Sequence, residues 1–215
     1  MKTLLVIPNY NHNSSCTILI DKVAAYDTLI VDDGSTTPFK NESTLSKSKI
    51  LRNSKNMGKG YSIKKGAMYA ISNHYTHMLT IDADLQHDPI YIKQFIENNE
   101  FSDLVYGKRS FKKNMPFFRR LSNSITSSII SLFCNLDIFD SQCGYRLYNL
   151  ELFKNLDSKE NGYQFESEIL LKKINKYSNI GYVEISTIYN SSKSHINNTI
   201  DTLKFIILIT KNIFK

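Results

Sequence analysis

The sequence predicts an α/β fold in which helices cover a mostly parallel sheet. Three observations predict it. Short apolar runs alternate along the chain with segments of helical periodicity, the pattern of strand–helix–strand units. Several of these runs stop abruptly at carboxylates or glycine, as strands do where they reach the ligand-binding edge of such a sheet. The 215 residues also carry no internal repeat and no low-complexity linker, so they read as one domain with a sizeable core.

The elements follow in order. Thr3 to Ile7 is a buried strand closed by Pro8, and Thr28 to Val31 is a second, closed by Asp32, Asp33 and Gly34. The Ser/Thr/Lys-rich stretch from Ser35 to Ser48 reads as an exposed loop before a third strand, Lys49 to Leu51. Gly60 to Ser72 is helical, with Ile63, Ala67, Ala70 and Ile71 on one face. Met78 to Ile81 is a fourth strand, closed by Asp82. Asp88 as N-cap and Pro89 at the first helical position open a helix to Asn98 that presents Ile92, Phe95 and Ile96. Asp103 to Tyr106 is a fifth strand, closed by Gly107. Phe117 to Asn135 repeats Phe117, Leu121, Ile125, Ile129 and Leu132, a stripe expected to pack into the core. Phe165 to Tyr177 is helical, Gly181 to Ile188 is a last, longer strand, and Ile200 to Phe214 is a terminal helix. Residues 1–197 are expected to form the main domain. Residues 198–215 are an amphipathic helix that packs on the sheet or lies in a membrane interface through its FIILI run, with Lys204, Lys211 and Lys215 toward anionic headgroups.

Composition excludes several classes. With 41% hydrophobic and 22% charged residues the chain is globular, not disordered. No run approaches the ~20 apolar residues that span a bilayer. The opening MKTLLVIPNY meets Pro8 too early for a signal peptide, so a cytosolic protein is expected. Three cysteines, Cys16, Cys134 and Cys143, argue against a disulfide framework or a zinc site. A net charge of +7 suits an anionic partner, but the basic residues are scattered and no recognition motif accompanies them, so nucleic acid is not expected.

The strand ends carry the chemistry. In LTIDADLQHDP, Leu79 to Pro89, Asp82 and Asp84 point to the same side of extended chain. Two like charges held there repel unless a cation sits between them, and Mg²⁺ or Mn²⁺ shared with substrate phosphates would resolve the conflict. The plainer alternative is that they cap the following turn. In IVDDGST, Asp33 could accept from a base or ribose, or belong to an ordinary Asp-Gly turn in which Gly34 supplies the tight bend. NMGKG, Asn56 to Gly60, opens a helix and could bring Lys59 and the helix N-terminus to phosphate, although it lacks the spacing of a P-loop. YGKRS puts Arg109 just after a strand, where its fork can grip phosphate oxygens. Lys112, Lys113, Arg119 and Arg120 follow beside an apolar stripe, which suggests a lipid phosphate at a membrane. Asp140 and Arg146 in DSQCGYRLY, Glu166 and Glu168 in YQFESEIL, and Lys193 and His195 in YNSSKSHI are not specific alone; a lone His195 is more often structural.

Taken together and in order, VIPNYN, VDDGST, NMGKG, DADLQHDP, GKRS, DSQCGYRLY, FESEI and YNSSKSH resemble the family-2 glycosyltransferases. The closer likeness is to the branch of dolichyl-phosphate mannose synthases and polyprenyl-phosphate glycosyltransferases, and it runs from Leu4 to about Phe205. The resemblance implies a GT-A-type, Rossmann-like domain that binds a nucleotide sugar. By position, Pro8, Tyr10, Val31 and Asp33 would line the nucleoside pocket. Asp82, Ala83, Asp84 and Gln86 would hold diphosphate and metal, with Asp82, Asp84 and Gln86 the ligands and Asp84 the surest. Arg109 and Lys193 would contact phosphate, and Arg120 the acceptor phosphate. His12 stands where the family usually has Glu, and Thr187 where the mannose synthases have Arg, so neither UDP against GDP nor mannose follows. The membrane helices that follow in many relatives are not seen.

The implied reaction is an in-line, inverting displacement in which Mg²⁺ or Mn²⁺ and Arg109 stabilise the leaving nucleoside diphosphate. A polyprenyl phosphate acceptor is already anionic and needs no strong base. A sugar-hydroxyl acceptor on a glycan does need one, and Asp140 is then the candidate, unless it orients Arg146 or binds acceptor. Asp140, Arg146, Arg109 and Arg120 are thus the expected catalytic set. A catalytically silent nucleotide-sugar-binding scaffold is the reading from another class.

Overall fold

The computed structural model describes residues 1–43, 45–46, 48–97, 99–109, 117–186, 188 and 205–211, with the side chains of 117–121 outside that set. Seven strands form one sheet: β1 (Thr3–Asn9), β2 (Thr28–Asp32), β3 (Lys49–Arg52), β4 (His77–Thr80), β5 (Leu104–Arg109), β6 (Arg146–Asn149) and β7 (Ile180–Ile185). Their spatial order is β3-β2-β1-β4-β6-β5-β7. Every pairing is parallel except those of β6, which runs antiparallel to both β4 and β5. The helices are α1 (Asn13–Lys22), α2 (Lys59–Ser72), α3 (Ile92–Ile96), α4 (Phe117–Cys134) and α5 (Phe165–Lys173).

Period-two alternation sorts the strand residues into two cores. Leu4, Val6, Met78, Leu104 and Tyr148 face α2, α4 and α5 through Ile63, Ala67, Ile130, Phe165 and Ile169. Leu5, Ile7, Leu79, Val105 and Leu147 face α1 and α3 through Leu19, Ile20, Ile92 and Phe95. The central runs β1, β2 and β4 are strands with both faces covered.

Two elements were not anticipated. Helix α1 buries only Cys16, Leu19 and Ile20, and His12 at its start makes no side-chain cap. Strand β6 is four residues, RLYN, lying inside a motif. Other boundaries moved. Pro89–Tyr91 forms a 3₁₀ turn ahead of α3, and the Asp88 carboxylate caps it as expected, accepting from Ile90 N at 3.0 Å. β7 stops at Ile185, and Ile188 N instead donates to Gln86 O at 3.0 Å.

The expectation for α4 is corrected. Its buried face is Asn123, Thr126, Ser127, Ile130 and Cys134, while Ile125 and Leu132 of the predicted core stripe are 52% and 80% exposed. The polar face turns inward because it has partners there: Asn123 Nδ2 donates to Asp140, and Ser127 Oγ accepts from Ser141 N at 3.0 Å. Within residues 205–211, Leu208 and Ile209 are buried and Phe205 packs against the core, while Ile206 and Ile207 are exposed.

Candidate active site

The sheet order places a switch of direction between β1 and β4, the point at which such sheets bind ligands. Residues after β1, β2, β4 and β5 therefore meet at one edge. Antiparallel β6 brings the residues before it, 140–145, to that same edge. Thr80 Oγ1 locks the two neighbours together by donating to Gly144 O at 2.8 Å.

Asp82 lies at the centre. Its Oδ1 is 2.6 Å from Lys59 Nζ, and the same ammonium is 3.0 Å from Glu166 Oε1. Lys59 is the first residue of α2 and Glu166 lies in the first turn of α5, so one helix start supplies the cation and another the second anion. Burial opposes ionisation of Asp82, but Lys59, His87 and Arg109 overcome it and hold the carboxyl low. His87 Nδ1 is 3.9 Å from Asp82 Oδ2, and its ring stacks on Tyr145. Burial pulls this imidazole down to about 4, so it is neutral near pH 7.

Asp84 takes the turn-capping role. Its Oδ1 caps the turn by accepting from Gln86 N at 3.0 Å. Burial and the charge of Asp82 push its carboxyl up, as two neighbouring carboxylates short of positive charge must behave. Among the described residues no group of three or more His, Cys, Asp and Glu converges. The donor set is therefore carboxylate oxygen, with the Gln86 amide nearby. It fits a hard divalent ion whose remaining positions are filled by phosphate and water.

Arg109 forks onto Asp140, Nε to Oδ2 at 2.6 Å and Nη2 to Oδ1 at 2.8 Å. Asp140 is fully buried and also accepts from Asn123 Nδ2, at 3.1 Å. Burial works against its ionisation, and Arg109 more than offsets this and keeps it low. A carboxylate so engaged orients Arg109 and is not placed to take a proton from an acceptor. Arg146 is likewise not open to substrate. It is fully buried, and its guanidinium donates to the carbonyls of Cys143 (2.7 Å), Glu166 (2.8 Å) and Ser141 (2.5 Å). It fastens the 141–143 loop to the start of α5.

At the nucleoside end, Asp33 is nearly buried. It accepts from Asn53 Nδ2 (2.7 Å), Met57 N (2.9 Å) and Gly58 N (2.8 Å), so it ties β2 to the loop that carries Lys59. Asp32 accepts from Ser35 N, Phe39 N and Arg52. Directly after them Gly34 takes φ +71°, with Lys55 backbone where a side chain would go. Pro8 is partly exposed and Tyr10 exposed, whereas Val31 is fully buried and offers only backbone. A cleft of about 480 Å³ lies alongside, lined by Asn11, His12, Asn13, Thr36 and Thr37 among others. Ala83 is buried and Gln86 half-buried beside Asp84. Lys193 and the side chain of Arg120 lie outside the described residues.

Glu166 is the residue that motif reading left aside. FESEI shows two glutamates, and only the fold separates them. Glu168 is structural, accepting from Ser158 Oγ, Lys159 N and Glu160 N, while Glu166 faces Lys59.

Comparison with known proteins bears on the family and the fold. Residues 4–157 match the model of glycosyl transferase family 2. An uncharacterised protein of Methanocaldococcus jannaschii is 30% identical over 95% of this chain and 99% of its own length. The dolichol-phosphate mannosyltransferase of Pyrococcus furiosus is 30% identical over 84% of this chain, which spans about half of that relative (54%). Among solved structures, glucosyl-3-phosphoglycerate synthase from Mycobacterium tuberculosis, in complex with Mn²⁺, UDP-glucose and phosphoglyceric acid, superposes with a TM-score of 0.74. That match is 15% identical and covers 98% of this chain and 79% of that one, a likeness of fold. The α/β architecture expected from the sequence is thus the GT-A-type one, and the matched segment carries every strand of the sheet except β7. The chain belongs to glycosyl transferase family 2 and is a glycosyltransferase.

Proposed function

We propose that the enzyme transfers a sugar, with inversion, from a nucleoside diphosphate sugar to a polyprenyl phosphate at the cytoplasmic face of a membrane. The observation that carries this reading is the joint placement of Asp82, Asp84, Lys59 and Glu166 beside the Arg109–Asp140 fork at one sheet edge. Asp82, Asp84 and Gln86 would hold Mg²⁺ or Mn²⁺, which would supply Lewis-acid stabilisation of the charge on the leaving diphosphate. Pro8, Tyr10, the Val31 backbone and the loop that Asp33 organises receive the nucleoside, and Ala83 stands with Asp82 and Asp84 on the diphosphate side. Lys59 adds a cation toward the diphosphate, and Glu166 offers an acceptor to donor-sugar hydroxyls. Arg109, oriented by Asp140, is the guanidinium assigned to phosphate, and Arg120 and Lys193 complete the acceptor and donor contacts.

The engagement of Asp140 favours an acceptor that arrives already ionised over a sugar hydroxyl on a glycan, because the latter needs a free base. The name of the Pyrococcus relative points the same way. No helix among the described residues is long and apolar enough to cross a membrane. The exposed Ile125, Leu132 and Phe133 of α4, with Ile206 and Ile207, support contact with a membrane surface instead.

Calorimetric titration of UDP and GDP with Mn²⁺, on wild type and Asp84→Ala, tests the donor half. Metal-dependent binding of one nucleotide, lost in the variant, is expected; binding of neither overturns the donor-site reading. Transfer of radiolabelled sugar from the selected donor to polyprenyl phosphate tests the acceptor half.

A further inference from the structure

We infer that Lys59 occupies the cation side of Asp82 until a nucleoside diphosphate arrives, so that metal and nucleotide enter together rather than metal first. This rests on the donor-site reading above. Three facts carry it. Lys59 Nζ is in contact with Asp82 Oδ1 at 2.6 Å and with Glu166 Oε1 at 3.0 Å, so the ammonium stands against one of the two carboxylates meant for metal. The side chain of Lys59 is 14% exposed, so water does little to screen it. The third is Gly144. A Cβ there would lie 2.4 Å from Lys59 Nζ, 2.8 Å from Asp82 Oδ2 and 3.0 Å from Glu166 Oε1. The bare glycine backbone is what lets the ammonium and both carboxylates converge.

Charge decides the order of events. With Lys59 in place, Asp82 and Glu166 share one positive charge, and Arg109 is committed to Asp140. A divalent ion arriving alone would meet an ammonium at contact distance in a poorly screened site, and like charges there are costly. A diphosphate changes this balance, because its oxygens take up positive charge from both. The ion can then bind Asp82 and Asp84, while Lys59 turns from Asp82 to the diphosphate and stays anchored by Glu166. Lys59 thus acts as a positioning residue that couples metal occupancy to nucleotide occupancy.

Mn²⁺ binding to the full chain, followed by electron paramagnetic resonance with no nucleotide present, tests it. Lys59→Gln should bind Mn²⁺ alone more tightly than wild type, on the order of tenfold, and should bind UDP or GDP with Mn²⁺ more weakly. Glu166→Gln leaves the ammonium to Asp82 alone and should weaken binding of Mn²⁺ alone. Melting curves establish that each variant is folded, and if Lys59→Gln is not, Glu166→Gln decides. Metal affinity unchanged or weaker in Lys59→Gln, or unchanged or tighter in Glu166→Gln, overturns the inference while wild type still binds nucleotide with Mn²⁺. A wild type that binds neither nucleotide with Mn²⁺ removes the donor-site reading and this inference with it.

Discussion

Asp140 and Arg146 sit six residues apart in one motif, and chemistry alone made both look catalytic. Their surroundings separate them from that role. Arg146 is spent on backbone carbonyls, and Asp140 on the Arg109 fork. Asp140→Asn keeps the shape but leaves the guanidinium without its counter-charge. Breaking a buried pair of this kind costs about 3–5 kcal/mol. Urea denaturation at pH 7 should show a loss in that range, and transfer activity should fall with it; a variant as stable as wild type would contradict the pairing. His87 gives a pH signature. Its folded value of about 4 lies below the ordinary 6.5 because burial disfavours the charged ring. The unfolded chain therefore binds more protons between these values, and stability must rise with pH across that window. The contribution is complete above about 6.5 and is lost as pH falls toward about 4. His87→Phe, which keeps an aromatic ring on Tyr145, should flatten the dependence of melting temperature on pH over that interval. An unchanged slope would show that other groups cause it.

At the scale of elements, the strands were legible because runs such as LLVI and TLIV are buried on both faces and end in polar residues. β6 was not, because four residues beside Asp140 and Gly144 read as motif before they read as strand, and its antiparallel pairing comes from neighbours far away in sequence. α4 misled for a different reason. Periodicity locates an apolar face but does not say what covers it. Its Ile125 and Leu132 point out, and its Asn123 and Ser127 point in toward Asp140 and Ser141. This yields a paired prediction. Ile130→Ala should cost about 2–5 kcal/mol, as core truncations do. Leu132→Gln should stay within about 0.5 kcal/mol of wild type, as surface changes do, yet weaken sedimentation with vesicles containing anionic lipid. Equal destabilisation by both changes would return the stripe to the core.

Across the whole molecule, the candidate site exists because topology gathers residues 8–10, 32–35, 82–86, 109 and 140–145 at one edge of one sheet. The carboxylate motifs were visible in the sequence, since strand ends are where such sheets act. The Lys59–Asp82–Glu166 cluster was not, since it spans more than a hundred residues and depends on two helix starts and the missing side chain of Gly144. A ligand seated there touches loops from several strands, so its binding should stabilise the domain as one unit. At a hundred times its dissociation constant a ligand adds about 2.7 kcal/mol to stability. For a chain of this size each kcal/mol moves the melting temperature by about 2–4 °C. Calorimetric melting with the preferred nucleotide and Mn²⁺ should therefore show one transition, displaced upward by several degrees. The displacement should vanish in Asp84→Ala, whose carboxylate is a proposed ligand of the ion and takes no part in the hydrophobic core. Two separate transitions, only one of them moved, would mean that the elements around the site do not melt together, and that the edge which collects these residues is not held by the sheet as a whole.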